Sequence, residues 1–171
     1  NASMRRKILN QLSVSGVKTI AEMTHKVLTN PDFFAELLQK FSTTVTEMFR
    51  DAAFYKAIRT VIIPQLKTYP FFKIWIAGCA TGEEAYSIAI MLKEAGIYDR
   101  CQIYATDLNK KSLIAAKDGI YPVALIQTYT TNYLKAGGTN DFSDYYTTQY
   151  HNAILSSELK KNILFSAHNL A

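Results

Sequence analysis

The stretch KIWIAGCATGEEAYSIAIMLKEAGIYDRCQIYATD, residues 73–107, constrains the fold of this chain most tightly. An apolar run from Ile74 to Ala77 leads into a loop of small residues, Gly78-Cys79-Ala80-Thr81-Gly82. A helical pattern follows, then a second apolar run that closes on an acid, Asp107. This is the outline of a βαβ unit, in which a crossover helix joins two parallel strands and ligands bind beyond the strand ends. Glycines let the backbone approach a ligand closely, and an acid ending the second strand can grip a ribose diol. An ordinary crossover with a glycine turn has the same outline, so the chemistry of the loop must separate the two.

That chemistry argues against a phosphate. The phosphate-cradling pattern GxxxxGK is absent, because Gly82 is followed by Glu83 and Glu84. Two carboxylates would repel a pyrophosphate from the helix N-terminus that it normally occupies. They suit a ligand that carries an ammonium group. S-adenosylmethionine offers a ribose for Asp107, an adenine for apolar walls and an α-amino group for a glutamate, so a methyl donor fits better than NAD. Either glutamate can instead serve as a first-turn acid that complements the helix dipole, leaving the other for the ligand.

The segment from Trp75 to Ser87 resembles the CheR-type chemotaxis methyltransferases, whose signature reads roughly W-x-A-G-C-x-T-G-E-E-x-Y-S. Three further blocks resemble that family in the same order: FSTTVTEMFRD (41–51), IYATDLNKKSLIAAKDGIYP (103–122) and ILFSAHNLA (163–171). The wording TEMFRD with AGCATGEEAYS is similar to a branch found outside core chemotaxis operons. The resemblance implies a Rossmann-like class I methyltransferase sheet behind an N-terminal helical region. It implies protein-glutamate O-methylation with S-adenosylmethionine as donor. It also implies site residues: Thr44, Thr46 and Arg50 against the cofactor, Glu84 at its amino-acid end, Asp107 on the ribose, and Asn169 with Leu170 beside the adenine. Arg50 is the candidate to orient the acceptor carboxylate through paired hydrogen bonds. Where the family usually has Asn, this chain has Thr44, which lacks the amide's reach.

The chain divides into a helical region with its linker, 1–50, and a partial cofactor domain, 51–171, with a β-rich insertion at about 122–162. Thr19 and Glu22 form a capping box, and Asn30-Pro31 opens the next helix. A further helix is expected over 51–69, with Pro64 near its end. If TEMFR is helical, Thr46 and Arg50 lie one turn apart and can face the same ligand. Tyrosines multiply at 129, 133, 145, 146 and 150, too many for the core of a small β-layer, which suggests a docking surface. By resemblance, the family's β-subdomain docks a short receptor tail. The family continues beyond Leu170, so the sheet here is expected to be incomplete and the chain to be a piece of a longer protein.

Composition fits a globular domain: 49% hydrophobic and 19% charged, with no run long enough for a membrane span. Cys79 and Cys101 lack metal-type spacing and His25, His151 and His168 are scattered, so no metal site is expected, and a reducing cytoplasmic setting is the simplest reading. Net charge is +5, with Arg5, Arg6, Lys7, Lys18 and Lys26 opposed only by Glu22 in the first thirty residues. No nucleic-acid-binding signature accompanies them. A solvated basic face is one reading. By resemblance, the other is contact with a methyl-accepting receptor, or a similar protein, through acidic glutamate-rich helices. Methylation of another acceptor, and a non-catalytic partner-binding module, remain the alternatives.

Overall fold

The structure, a computed structural model, describes residues 5–6, 8–10, 12, 16–41 and 46–169. The chain divides into two compact units, 1–43 and 44–171. In the first, helix α1 (Ile20–Thr29) is capped by Thr19, whose hydroxyl accepts from the Glu22 N–H at 3.1 Å. The Glu22 carboxylate in turn accepts from Lys18 N at 2.9 Å, one residue earlier than a standard capping box. Helix α2 (Pro31–Phe41) starts behind Asn30, whose side-chain oxygen accepts from Phe33 N. Val17, Met23 and Leu37 form the small core of this unit, with Ile8, Leu12, Val27 and Phe33 against it.

The second unit opens with one continuous helix, α3, over 52–66. Asp51 caps it by accepting from Phe54 N. Its middle, Ile58–Ile62, is a π-helical turn set between α-helical Ala52–Ala57 and Ile63–Leu66. Pro64 explains the distortion: proline has no N–H to donate and its ring crowds the preceding turn, and a wider turn relieves both.

Next comes the parallel unit. Strand β1 (Phe72–Ala77) leads to helix α4 (Glu83–Glu94), strand β2 (Cys101–Asp107) and helix α5 (Lys110–Asp118). Asn109 caps α5 at its start, and Gly119, in the left-handed region at φ +59°, ends it. Strand β6 (Ile163–Ala167) joins the other side of β2, giving the order β1-β2-β6, all parallel. Registered rows such as Ile74, Ile103 and Ile163, then Ile76, Ala105 and Phe165, face the core. Trp75 and Leu164, on the opposite face, remain exposed. This is a partial Rossmann-like sheet.

Between α5 and β6 lies the insertion. Its antiparallel sheet has the order β3-β5-β4, from strands β3 (Ile120–Pro122), β4 (Tyr146–Gln149) and β5 (Asn152–Leu155). A ten-residue helix, α6 (Ile126–Lys135), and the short helix α7 (Ser157–Lys160) stand beside it. The tyrosines differ from expectation. Tyr129, Tyr133 and Tyr145 are buried in the main core, and Tyr146 is packed against it. Tyr150 alone of the five is largely exposed, at 91%. Tyr129 and Tyr133 stand one turn apart on α6 and extend the core of the parallel unit, so their number no longer argues for a docking surface. Tyr133 meets Phe49 and Phe142 with ring centroids 5.3 Å away in each case.

Gly138 is packed so closely beneath Tyr133 that an added Cβ would overlap the ring. Gly138→Ala is expected to cost roughly 2–4 kcal/mol of stability. Gly96→Ala, which meets open space but needs φ +70°, is expected to cost about 1 kcal/mol. Denaturant unfolding of the two variants measures the difference, and equal losses would mean that the Tyr133 ring can yield.

Candidate functional site

The candidate groups gather at the carboxyl ends of the parallel strands, the usual binding edge of an open α/β sheet. Two N–H groups, of Gly78 and Cys79, donate to the Thr106 carbonyl at 2.7 and 2.9 Å and tie the loop after β1 to the end of β2. Ala80 N donates to one oxygen of Asp107 at 2.8 Å, and Asn109 N to the other at 2.7 Å. The half-buried Asp107 is thereby fixed in orientation. A carboxylate offers about four acceptor sites, so capacity for two hydroxyls remains. Gly78 sits at φ +78° with no atom within 4 Å of where a Cβ would stand, leaving the backbone open to a ligand. Gly82 is the opposite case: at φ +95°, a Cβ would meet Ala116 of α5 at 3.0 Å.

Consecutive residues on a helix point about 100° apart, and this separates the two glutamates. Glu83 turns inward and is 4% exposed. Its carboxylate accepts from the Thr81 hydroxyl at 2.7 Å and the Tyr129 hydroxyl at 3.3 Å. Burial raises its pKa, against the lowering effect of these donors. Glu84 turns outward to the rim of an apolar groove of about 350 Å³ lined by Phe54, Ile58, Ile74, Trp75 and Ile88. Although the residue is exposed, its apolar surroundings push the carboxyl above the ordinary range. No hydrogen bond or ion pair occupies it among the described residues. Of the two acids, Glu83 is engaged by the protein, and Glu84 makes no such bond among the described residues.

Residues 46–50 are not helical. They form a turn with Phe49 at φ +54°, so Thr46 and Arg50 do not share a helix face. Met48 and Phe49 are fully buried, and Phe49 N donates to the Ser87 hydroxyl at 3.0 Å. Ser87 donates in turn to the Glu83 carbonyl at 2.7 Å. This chain of bonds fastens the turn to the first turn of α4 and leaves Thr46 half-buried and Arg50 exposed on either side. Asn169 is exposed just after β6, where His168 N donates to the Asp107 carbonyl at 3.2 Å. Thr44 and Leu170 lie outside the described residues.

Two residues inside the quoted motifs, Trp75 and Tyr121, take part in the site without having been singled out as site residues. Trp75 donates from its indole N–H to the Thr106 hydroxyl at 3.0 Å and meets His168 edge-on at 5.8 Å. Tyr121 donates to the Thr81 carbonyl at 2.7 Å. The four-residue spacing of Tyr129 and Tyr133 was the one available sign of a buried helix here. Burial lifts the thiols of Cys79 and Cys101 to about 12, with the charge of Asp107 adding to the effect at Cys79, so neither is a nucleophile near neutrality. Among the described residues no His, Cys, Asp and Glu cluster could hold a metal ion, and no helix is long and apolar enough to cross a membrane.

Residues 44–171 match the family model described as CheR methyltransferase, SAM binding domain. A Pseudomonas putida protein that carries the methyltransferase name Cher3 is 46% identical over 170 residues, 99% of this chain and 62% of its own length. A Borreliella burgdorferi protein named chemotaxis protein methyltransferase is 33% identical over 162 residues, 84% of this chain and 57% of its own. A Listeria monocytogenes protein of the same name is 27% identical over 120 residues, 69% of this chain and 46% of its own. The chain spans about three fifths of the length of the first two.

The buried Glu83 makes a pH prediction. Its raised folded-state pKa means that the folded chain holds this proton more tightly than the unfolded chain. Its contribution to stability is therefore greatest below the ordinary value of 4.5 and falls as pH rises through the folded-state pKa. Glu83→Gln is expected to remove that fall, giving a flatter melting temperature from about pH 4.5 upward. Parallel pH-dependent profiles in both proteins would exclude Glu83 as its source.

Proposed function

The chain belongs to the CheR methyltransferase family, and from that premise we propose that it is the cofactor-binding part of an enzyme that methylates glutamate carboxylates of a receptor-like protein. The cofactor is S-adenosylmethionine, and the residues fit it. Asp107 keeps acceptor capacity for two ribose hydroxyls while both its oxygens are held by backbone N–H groups. Glu84, unengaged at the groove's rim, suits an ammonium group. The orientation of Asp107 at the open strand end is the observation that carries this reading.

When bound, the cofactor supplies an electrophilic methyl on a sulfonium. The acceptor is ionised at neutral pH, so no strong general base is required. The protein's work is to bind, align and exclude water. Asp107 and Glu84 hold the two ends of the cofactor, with Thr44, Thr46, Asn169 and Leu170 as further contacts. Arg50, exposed beside the buried Met48–Phe49 pair, orients the acceptor carboxylate through its planar fork. The acceptor is a methyl-accepting receptor or a similar protein with glutamate-rich helices, and the setting is the cytoplasm.

Transfer of labelled methyl from cofactor to a receptor protein, released by base as methanol, tests the reaction. Label that resists base would overturn carboxylate methylation. Asp107→Ala is expected to weaken cofactor binding by about 1–3 kcal/mol, roughly five- to 150-fold, by calorimetry on folded protein. Unchanged affinity would remove Asp107 from the site. Arg50→Lys is expected to slow single-turnover transfer at saturating cofactor more than it weakens binding, because lysine lacks the fork. Equal losses would make Arg50 a cofactor contact only.

A further inference from the structure

Two stretches far apart in the sequence meet around the candidate site: the turn at 46–50 and the loop with the start of α4, at 78–84. Helix α6 of the insertion reaches both. Its Tyr129 hydroxyl donates to the Glu83 carboxylate at 3.3 Å, and the other oxygen of Glu83 holds the Thr81 hydroxyl at 2.7 Å. One turn along, Asn132 donates from Nδ2 to the Met48 carbonyl at 3.1 Å and to the Glu47 carboxylate at 3.3 Å. Residues three apart on a helix share a face, so one face of α6 holds both stretches. Tyr129 is fully buried and Asn132 half-buried, which makes their bonds hard for water to replace.

We propose that Tyr129 and Asn132 are positioning residues of the cofactor site, holding its two separate stretches in mutual register from the insertion. The inference rests on the cofactor reading given above. Neither residue has to touch the cofactor. Tyr129 acts through Glu83 on the loop ahead of Glu84, and Asn132 acts through Met48 on the turn that ends at Arg50. The insertion is therefore part of the site's frame.

The test compares Tyr129→Phe and Asn132→Ala with Tyr145→Phe. The last removes a buried hydroxyl from the same insertion that serves Glu94, at the far end of α4. Calorimetric affinity for S-adenosylhomocysteine and melting temperature are read for each. The first two variants are expected to lose about three- to tenfold in affinity, the worth of one buried hydrogen bond, while Tyr145→Phe loses only thermal stability. Losses of melting temperature in all three with affinity untouched would overturn the proposal and leave α6 a structural support. Amide hydrogen exchange in the unliganded chain gives a second reading. Faster exchange across 46–50 and 78–82 in Tyr129→Phe and Asn132→Ala, but not in Tyr145→Phe, supports it, and uniform exchange across the three overturns it. Failure of the unaltered chain to bind S-adenosylhomocysteine would count against the cofactor reading, and the exchange result would still decide the role of α6.

Discussion

Helix α4 exposes almost nothing, and it ends at each extremity in a shielded carboxylate. Every residue from Ala85 to Leu92 is buried, and although Glu84 and Lys93 reach solvent, the carboxylates of Glu83 and Glu94 depend on donors from the protein. At its start, Glu83 suits the positive end of the helix dipole, and Thr81 and Tyr129 complete its hydrogen bonding. At its end, Glu94 stands where the dipole is unfavourable to it. Three donors offset this: Arg59 at 2.5 Å, Tyr145 at 2.8 Å and Tyr133. An isolated buried charge costs several kcal/mol, and these groups are what make the helix tolerable.

The rest of the second unit follows from that requirement. The donors come from α3 and from the insertion, so both are drawn against α4. Arg59 lies in the π-helical turn of α3 and also donates to the Ala136 carbonyl at 3.1 Å. Its Nη2 is buried without a hydrogen-bond partner among the described residues, so the cluster around Glu94 is not fully satisfied. The tyrosines that multiply between 122 and 162 thus have a physical purpose. Tyr129, Tyr133 and Tyr145 each bring a large apolar ring to the core and a hydroxyl to a shielded carboxylate, Glu83 or Glu94.

The βαβ unit was legible because its signals are local: an apolar run, small residues at positive φ and an acid at a strand end all occur within 73–107. The insertion was harder to read. Tyrosine is common in strands, and that composition outweighed the helical spacing of Tyr129 and Tyr133. The turn at 46–50 was not legible, because Phe49 is held at positive φ by Ser87, a partner 38 residues away. The same limit applies to the glutamate pair. Glu83 and Glu84 are chemically identical in the sequence, and only the direction of the helix start separates the engaged acid from the open one.

Trp75 is the sole tryptophan, and the open face of the sheet leaves it 57% exposed. Its indole N–H is anchored to Thr106, one residue before Asp107, and its ring abuts His168 beyond β6. Beside its eleven tyrosines this chain therefore carries one indole fluorophore, which can be excited selectively at the long-wavelength edge, fastened at the strand ends where the candidate ligand groups converge. Its emission comes from a single environment, with no second indole to blur the signal. Whatever covers that face or rearranges those strand ends changes the polarity around this ring, and the chain reports the event in its own light.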